Sequence, residues 1–175
     1  MLRTVRYLVL VTALAALAGC GTKDSVKRFV GLAGPEPSEY TGQAYPATQT
    51  VDVVFQSSQV DRTCRVFAEL LVQFPANASG RDVESAVLTE AKARGAHQVL
   101  IGQSRQGKEN NGPSFLYYGP TYEYFCTDQC GGWKFGFDLW VEQGEWVNIG
   151  YKEWGKAGVV FETPLVMQMV MLRCQ

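Results

Sequence analysis

Histidine is nearly missing from this 175-residue chain, which holds only His97. Sites built on several converging imidazoles are therefore excluded. No serine or cysteine nucleophile motif stands near His97, so its expected role is capping or surface contact rather than general-base catalysis. A P-loop, a glycine-rich dinucleotide fingerprint and an HExxH pattern are all lacking, and no metal or dissociable cofactor is expected. Carboxylates are scattered without a paired arrangement. A long basic block is lacking too, which removes the usual electrostatic footprint of nucleic acid and of anionic lipid headgroups.

Long apolar runs are equally scarce. The uncharged run at residues 7–17, preceded by Arg3 and Arg6, is too short to span a bilayer unaided and fits the core of a signal peptide. It ends in Leu17-Ala18-Gly19-Cys20, which resembles the lipobox of bacterial lipoproteins. The resemblance implies that residues 1–19 are a signal peptide and that the thiol of Cys20 receives diacylglycerol. Multiple acyl chains at about 0.8 kcal/mol per buried methylene would make a lasting membrane anchor. Gly21, standing where aspartate would, resembles an outer-membrane sorting signal, so the expected location is the outer membrane facing the periplasm. Without Arg3 and Arg6 the 16 basic residues become 14, against 17 acidic ones.

Residues 20–50 carry Gly31, Gly34, Pro35, Pro37, Ser38, Gly42 and Pro46 with no regular apolar period, which predicts a lipidated N-terminus followed by a flexible tether. One domain is expected from 51 to 175. A first strand is predicted at 51–55, and a second at 64–74, where Val66, Ala68, Leu70, Val72 and Phe74 alternate with Arg65, Phe67, Glu69, Leu71 and Gln73. Ser79-Gly80-Arg81-Asp82 has capping-box spacing and predicts a helix to about Arg94, with Val83, Ala86, Val87 and Ala91 on one stripe and Gly95 as terminator. A third strand is predicted at 96–102 and a last one at 165–174. In that last strand Val166, Val170 and Leu172 share one face and Met167, Met169 and Met171 the other, marking a central strand buried on both sides. The expected class is α+β, a small mixed or antiparallel sheet with one main helix in a β-β-α-β core.

This order, with Arg94-Gly95-Ala96-His97-Gln98-Val99-Leu100 between helix and third strand, resembles the RcsF family, small envelope lipoproteins that act as outer-membrane sensors of the Rcs stress phosphorelay. The likeness covers about residues 51–104 and 165–174. It implies an envelope location and that fold outline, with signalling as one role. Cysteine spacing and an insertion at about residues 105–163 depart from the family.

That insertion is rich in aromatics. Of 21 aromatic residues, 14 lie between Phe115 and Phe161, including all four tryptophans. Trp133, Phe135 and Phe137 alternate with Lys134, Gly136 and Asp138, and residues 146–151 look strand-like across a turn at 142–145, so an aromatic-rich β-hairpin is expected. Two uses remain open for the rings. Trp133, Trp140, Trp146, Trp154, Tyr117 and Tyr118 form a candidate binding surface, or they pack the helix-free face of the sheet.

With Cys20 acylated, four cysteines remain, an even number that points to two disulfides in an exported domain. Three pairings are open. Cys64 with Cys174 would tie the second strand to the last, and Cys126 with Cys130 would close a small loop. The latter spacing is one residue too long for a CxxC redox pair.

The functional expectation is a membrane-anchored envelope module for binding, interaction or sensing, without a catalytic motif. Its partners would be the membrane, through covalent lipid on Cys20, and an envelope protein or peptidoglycan, but not nucleic acid. The second class is a peptidoglycan- or carbohydrate-directed binder or hydrolase built on the aromatic segment.

Overall fold

Two apolar segments far apart in the chain form the centre of the sheet. The computed structural model describes residues 39–126, 130 and 133–175; the expected signal peptide, Cys20 and the first part of the tether lie outside them. The elements are β1 (Asp52–Val54), a 3-10 turn (Ser57–Gln59), β2 (Arg65–Phe74), β3 (Ala78–Ser79), α1 (Gly80–Ala93), β4 (Gln98–Gln106), β5 (Ser114–Gly119), β6 (Tyr124–Phe125), α2 (Phe137–Val141), β7 (Val160–Phe161) and β8 (Leu165–Arg173). The main sheet runs β1-β4-β8-β2-β5, with β6 also on β2, and β3 pairs with β7 separately. Only β1 and β4 pair in parallel, so the sheet is mixed and the class is α+β.

Both faces of β8 are buried, as its two-sided apolar sequence requires. Leu165, Met167, Met169 and Met171 meet Val83, Val87 and Ala91 of α1 together with Leu70 and Val72 of β2. On the other side, Val166, Val170 and Leu172 lie in a core with Leu71, Leu100, Phe135 and Trp140, flanked by Trp133 and Tyr118. The insertion therefore covers the face opposite the helix. α1 begins where the sequence predicts: Ser79 Oγ accepts the Asp82 N–H, and the Asp82 carboxylate accepts the Ser79 N–H. It ends at Gly95, whose φ of 78° is the left-handed geometry a terminating glycine supplies.

Four local expectations need correction. The alternation in β2 breaks at a bulge between Val66 and Ala68, so Phe67 joins the helix-side core and Val66 the opposite one. β4 continues to Gln106, past Gly102, through a second bulge. The predicted hairpin at 133–151 does not form. Gly136 at φ 60° starts the short helix α2, and the Glu153 carboxylate accepts the Gly150 N–H at 2.8 Å, turning the chain there. The strands that the insertion does add are β5 and β6, laid end to end along β2, and β7, which pairs with β3.

The last correction concerns the tether, whose described end, residues 39–50, is laid onto the domain. Tyr40 and Tyr45 pack against the helix-side core, and Thr48 donates its N–H to Lys92 O and its hydroxyl to Ala96 O. Two large rings gain more by burial than a free leash keeps in entropy.

Candidate functional site

The six aromatic residues singled out in the sequence do not form one surface. Tyr117 and Trp140 are buried, and Tyr118, Trp133 and Trp154 are half-buried against the two cores. Trp146 alone of the six stands out, at 64% exposure. Packing is thus the main use of these six rings, and Trp146 is the exception among them.

Trp146 is exposed but firmly held. Residues 144–147 follow the outer edge of β4: Gly144 N–H donates to Gln106 O, Gln106 N–H to Glu145 O, and Val147 N–H to Ser104 O, all within 2.8–3.0 Å. Arg105 supports the ring from beneath. Its guanidinium lies 5.2 Å from the Trp146 ring centre and donates to the carbonyls of Trp140 and Gly144 at 2.9 and 2.8 Å. Trp140 meets Trp146 edge to face at 5.9 Å. Such cation–π and aromatic contacts orient the indole while leaving the rest of it open.

Beside Trp146 the edge of β4 is uncovered. β1 pairs with β4 only up to Leu100, and the antiparallel bridge on the same side joins Arg105 to Trp146. In between, the bulge at Gly102 and Gln103 faces Gln168 of β8. The Trp133 indole lies against Gly102, where any Cβ would collide with it. Two clefts share Gly102 and Gln103 as a floor. One, of about 390 Å³, is walled by Phe55, Ser57, Ser58 and Trp133, and the other, of about 470 Å³, by Trp146, Asn148 and Ile149.

Two buried polar atoms at this bulge are unmet. Gln168 donates from Nε2 to Trp133 O at 3.1 Å, but its Oε1 finds no partner among the described residues. The Ser104 hydroxyl, on the wall of the Trp146 cleft, has none among them either. Buried unpartnered groups cost free energy, and those that persist mark places that water or a ligand completes.

The strongest electrostatic perturbation lies elsewhere, under the tether end. Tyr117 Oη donates to Glu90 at 2.6 Å, the same carboxylate oxygen that receives Arg94 Nε at 2.8 Å. Burial first, then the Glu90 hydrogen bond, pushes the Tyr117 hydroxyl well above the usual phenol range. Burial and the Glu123 carboxylate likewise push Tyr45 up to about 12. Both phenols therefore stay protonated as donors, which suits clamping rather than proton transfer. His97 serves structure too: Nδ1 lies between the carbonyl oxygen and the N–H of Cys174, at 3.0 and 3.3 Å.

The cysteines pair as Cys64 with Cys174 and Cys126 with Cys130. Among the described residues no group of three or more His, Cys, Asp or Glu side chains is placed to hold a metal ion, and no helix is long and apolar enough to cross a membrane. Sequence reasoning missed Gln103, Ser104, Asn148 and Phe55. Gly102 inside a strand was the one available signal, since such a glycine marks a bulge or a close approach. Comparison with protein-family models, curated proteins and solved structures gave no match.

Proposed function

We propose that the protein is a lipid-anchored binding module of the bacterial envelope, held at the outer membrane through Cys20 and engaging its ligand at the notch beside Trp146. The carrying observation is an indole 64% exposed yet fixed through its backbone bridge and through Arg105. A ring held in place loses little entropy on binding, and aromatic anchors of this kind dominate interface energetics. The lipobox resemblance at Leu17-Ala18-Gly19-Cys20 supports the anchor, and the two cysteine pairs suit an oxidising compartment. A sensor role, as the likeness to the RcsF family implies, would be the same module with an envelope protein as its ligand.

Metabolic palmitate labelling and in-cell photo-crosslinking test the two halves of this reading. Label is expected on the wild-type chain and not on Cys20→Ser. A photoreactive residue replacing Asn148 is expected to give an envelope adduct that Trp146→Ala abolishes. Replacing Tyr122, on the opposite edge of the sheet, should give none. Label surviving Cys20→Ser would remove the anchor, and equal adducts from both positions, or none from either, would remove the binding site.

A further inference from the structure

We infer that the paired clefts over Gly102 and Gln103 bind an oligosaccharide of N-acetylated hexosamines, the glycan strand of the cell wall. This rests on the reading of the notch as a binding site in the envelope. It takes that reading further by naming the ligand.

The lining chemistry carries the argument. Among the described residues neither cleft has an ionisable side chain on its wall: the residues are aromatic, aliphatic, hydroxyl, carboxamide and glycine. The cleft under the tether end is lined in part by Glu39, and the one beside β3 by Asp82. The nearby Arg105 guanidinium is turned to the carbonyls of Trp140 and Gly144, so a phosphorylated or carboxylated ligand would meet no counter-charge on the described cleft walls, and a nucleic-acid strand no basic groove. A neutral ring with apolar C–H faces and polar edges matches what is present.

Geometry fits a chain of such rings. Trp133 lines one cleft and Trp146 the other, with Gly102 and Gln103 common to both. The open part of the Trp146 ring offers a platform for C–H faces. Gln103 and Asn148 expose their carboxamides there, and each supplies both an acceptor and two donors, the complement of an acetamido group.

A peptide added as an extra strand fits less well. Residues 98–100 of β4 are already paired with β1, and Ser104 is bonded to Val147 and Gln106 to Gly144 and Glu145. That leaves a bulged stretch of about three residues, short of the run of backbone groups that strand addition uses.

The test is a titration of the full-length protein in detergent micelles with the β-1,4-linked tetrasaccharide of N-acetylglucosamine, followed by tryptophan fluorescence. Saturable binding is expected, weakened about tenfold by Trp146→Ala, equivalent to about 1.4 kcal/mol. Gln103→Ala and Asn148→Ala should each weaken it several-fold, and Tyr122→Ala should leave it unchanged. Trp146→Phe, which keeps a ring over Arg105, should retain part of the affinity, and its melting curve separates lost binding from lost folding. No saturable signal at millimolar sugar, or unchanged affinity in Trp146→Ala with normal melting, overturns the glycan assignment. If in that case the crosslinker at position 148 still yields a Trp146-dependent protein adduct, the binding module stands with a protein ligand. If it yields none, both readings fall.

Discussion

Glu69 sits between Ala68 and Leu70, both fully buried, with its carboxylate accepting the Tyr124 hydroxyl at 2.8 Å. Burial raises its pKa above the ordinary 4.5, and the Tyr124 hydrogen bond offsets this only in part. A carboxyl that holds its proton more tightly when folded favours the fold at low pH, and that advantage is lost as pH rises through the folded pKa. Charged Glu69 therefore opposes folding at neutral pH. Glu69→Gln keeps an acceptor for Tyr124 and should raise the melting temperature at pH 7. The gain should fade at about pH 3.5, where both states of the wild-type carboxyl are protonated. Melting curves at the two pH values check this, and a gain that is the same at both would mean that packing rather than charge is responsible.

Among the elements, β8 is the one on which the rest depend. It lies between β4 and β2, pairs with both over nearly its whole length, and supplies side chains to both cores. Truncating one buried Leu or Met typically costs about 2–5 kcal/mol, while total stability is commonly about 5–15 kcal/mol. Deleting residues 165–175 should accordingly abolish cooperative unfolding in urea. The check compares full-length and truncated chains, both reduced, and a truncated chain with a transition near the full-length midpoint would show that β4 and β2 close the sheet without β8. The limits of α1 could be read from Ser79, Asp82 and Gly95 because caps act within a few residues of each other. The hairpin predicted at 133–151 could not be trusted in the same way. Its alternation spans only a few residues, and burial of Trp133 and Phe135 on the sheet face outweighed it.

Across the molecule as a whole, the two cysteine pairs have unequal weight. Cys64 and Cys174 are separated by 110 residues and close nearly the whole domain, whereas Cys126 and Cys130 are separated by 4. On chain-entropy grounds the long loop contributes about 4–5 kcal/mol and the short one about 2 kcal/mol. Cys64→Ser/Cys174→Ser should therefore lower the denaturation midpoint more than Cys126→Ser/Cys130→Ser. Denatured, unreduced protein from the periplasm should titrate no free thiol. The reverse order of midpoints would mean that the pair Cys126 and Cys130, which lies in one core with Phe135 and Trp140, holds the insertion in place more than entropy alone predicts.

The sequence by itself determined the helix and its ends and the two-sided burial of β8, while the choice among the three cysteine pairings came from the tertiary structure. For the helix and β8 the information is either local or carried by an unambiguous apolar pattern: a cap hydrogen bond spans three residues, and a strand apolar on both faces has nowhere to go but the middle of a sheet. The tertiary structure alone also decided which tryptophan faces solvent. Trp140 and Trp146 are six residues apart and of one type, yet the first is 4% exposed and the second 64%. That difference comes from Arg105 and the outer edge of β4, about forty residues earlier in the chain, which hold residues 144–147 along the rim while α2 folds Trp140 inward. The notch at Gly102 and Gln103 likewise exists only because β1 stops at Val54 and the chain returns at Trp146, a meeting of segments that no window of sequence contains. Helix caps are fixed by neighbours in the chain, but exposure is fixed by whatever packs from afar.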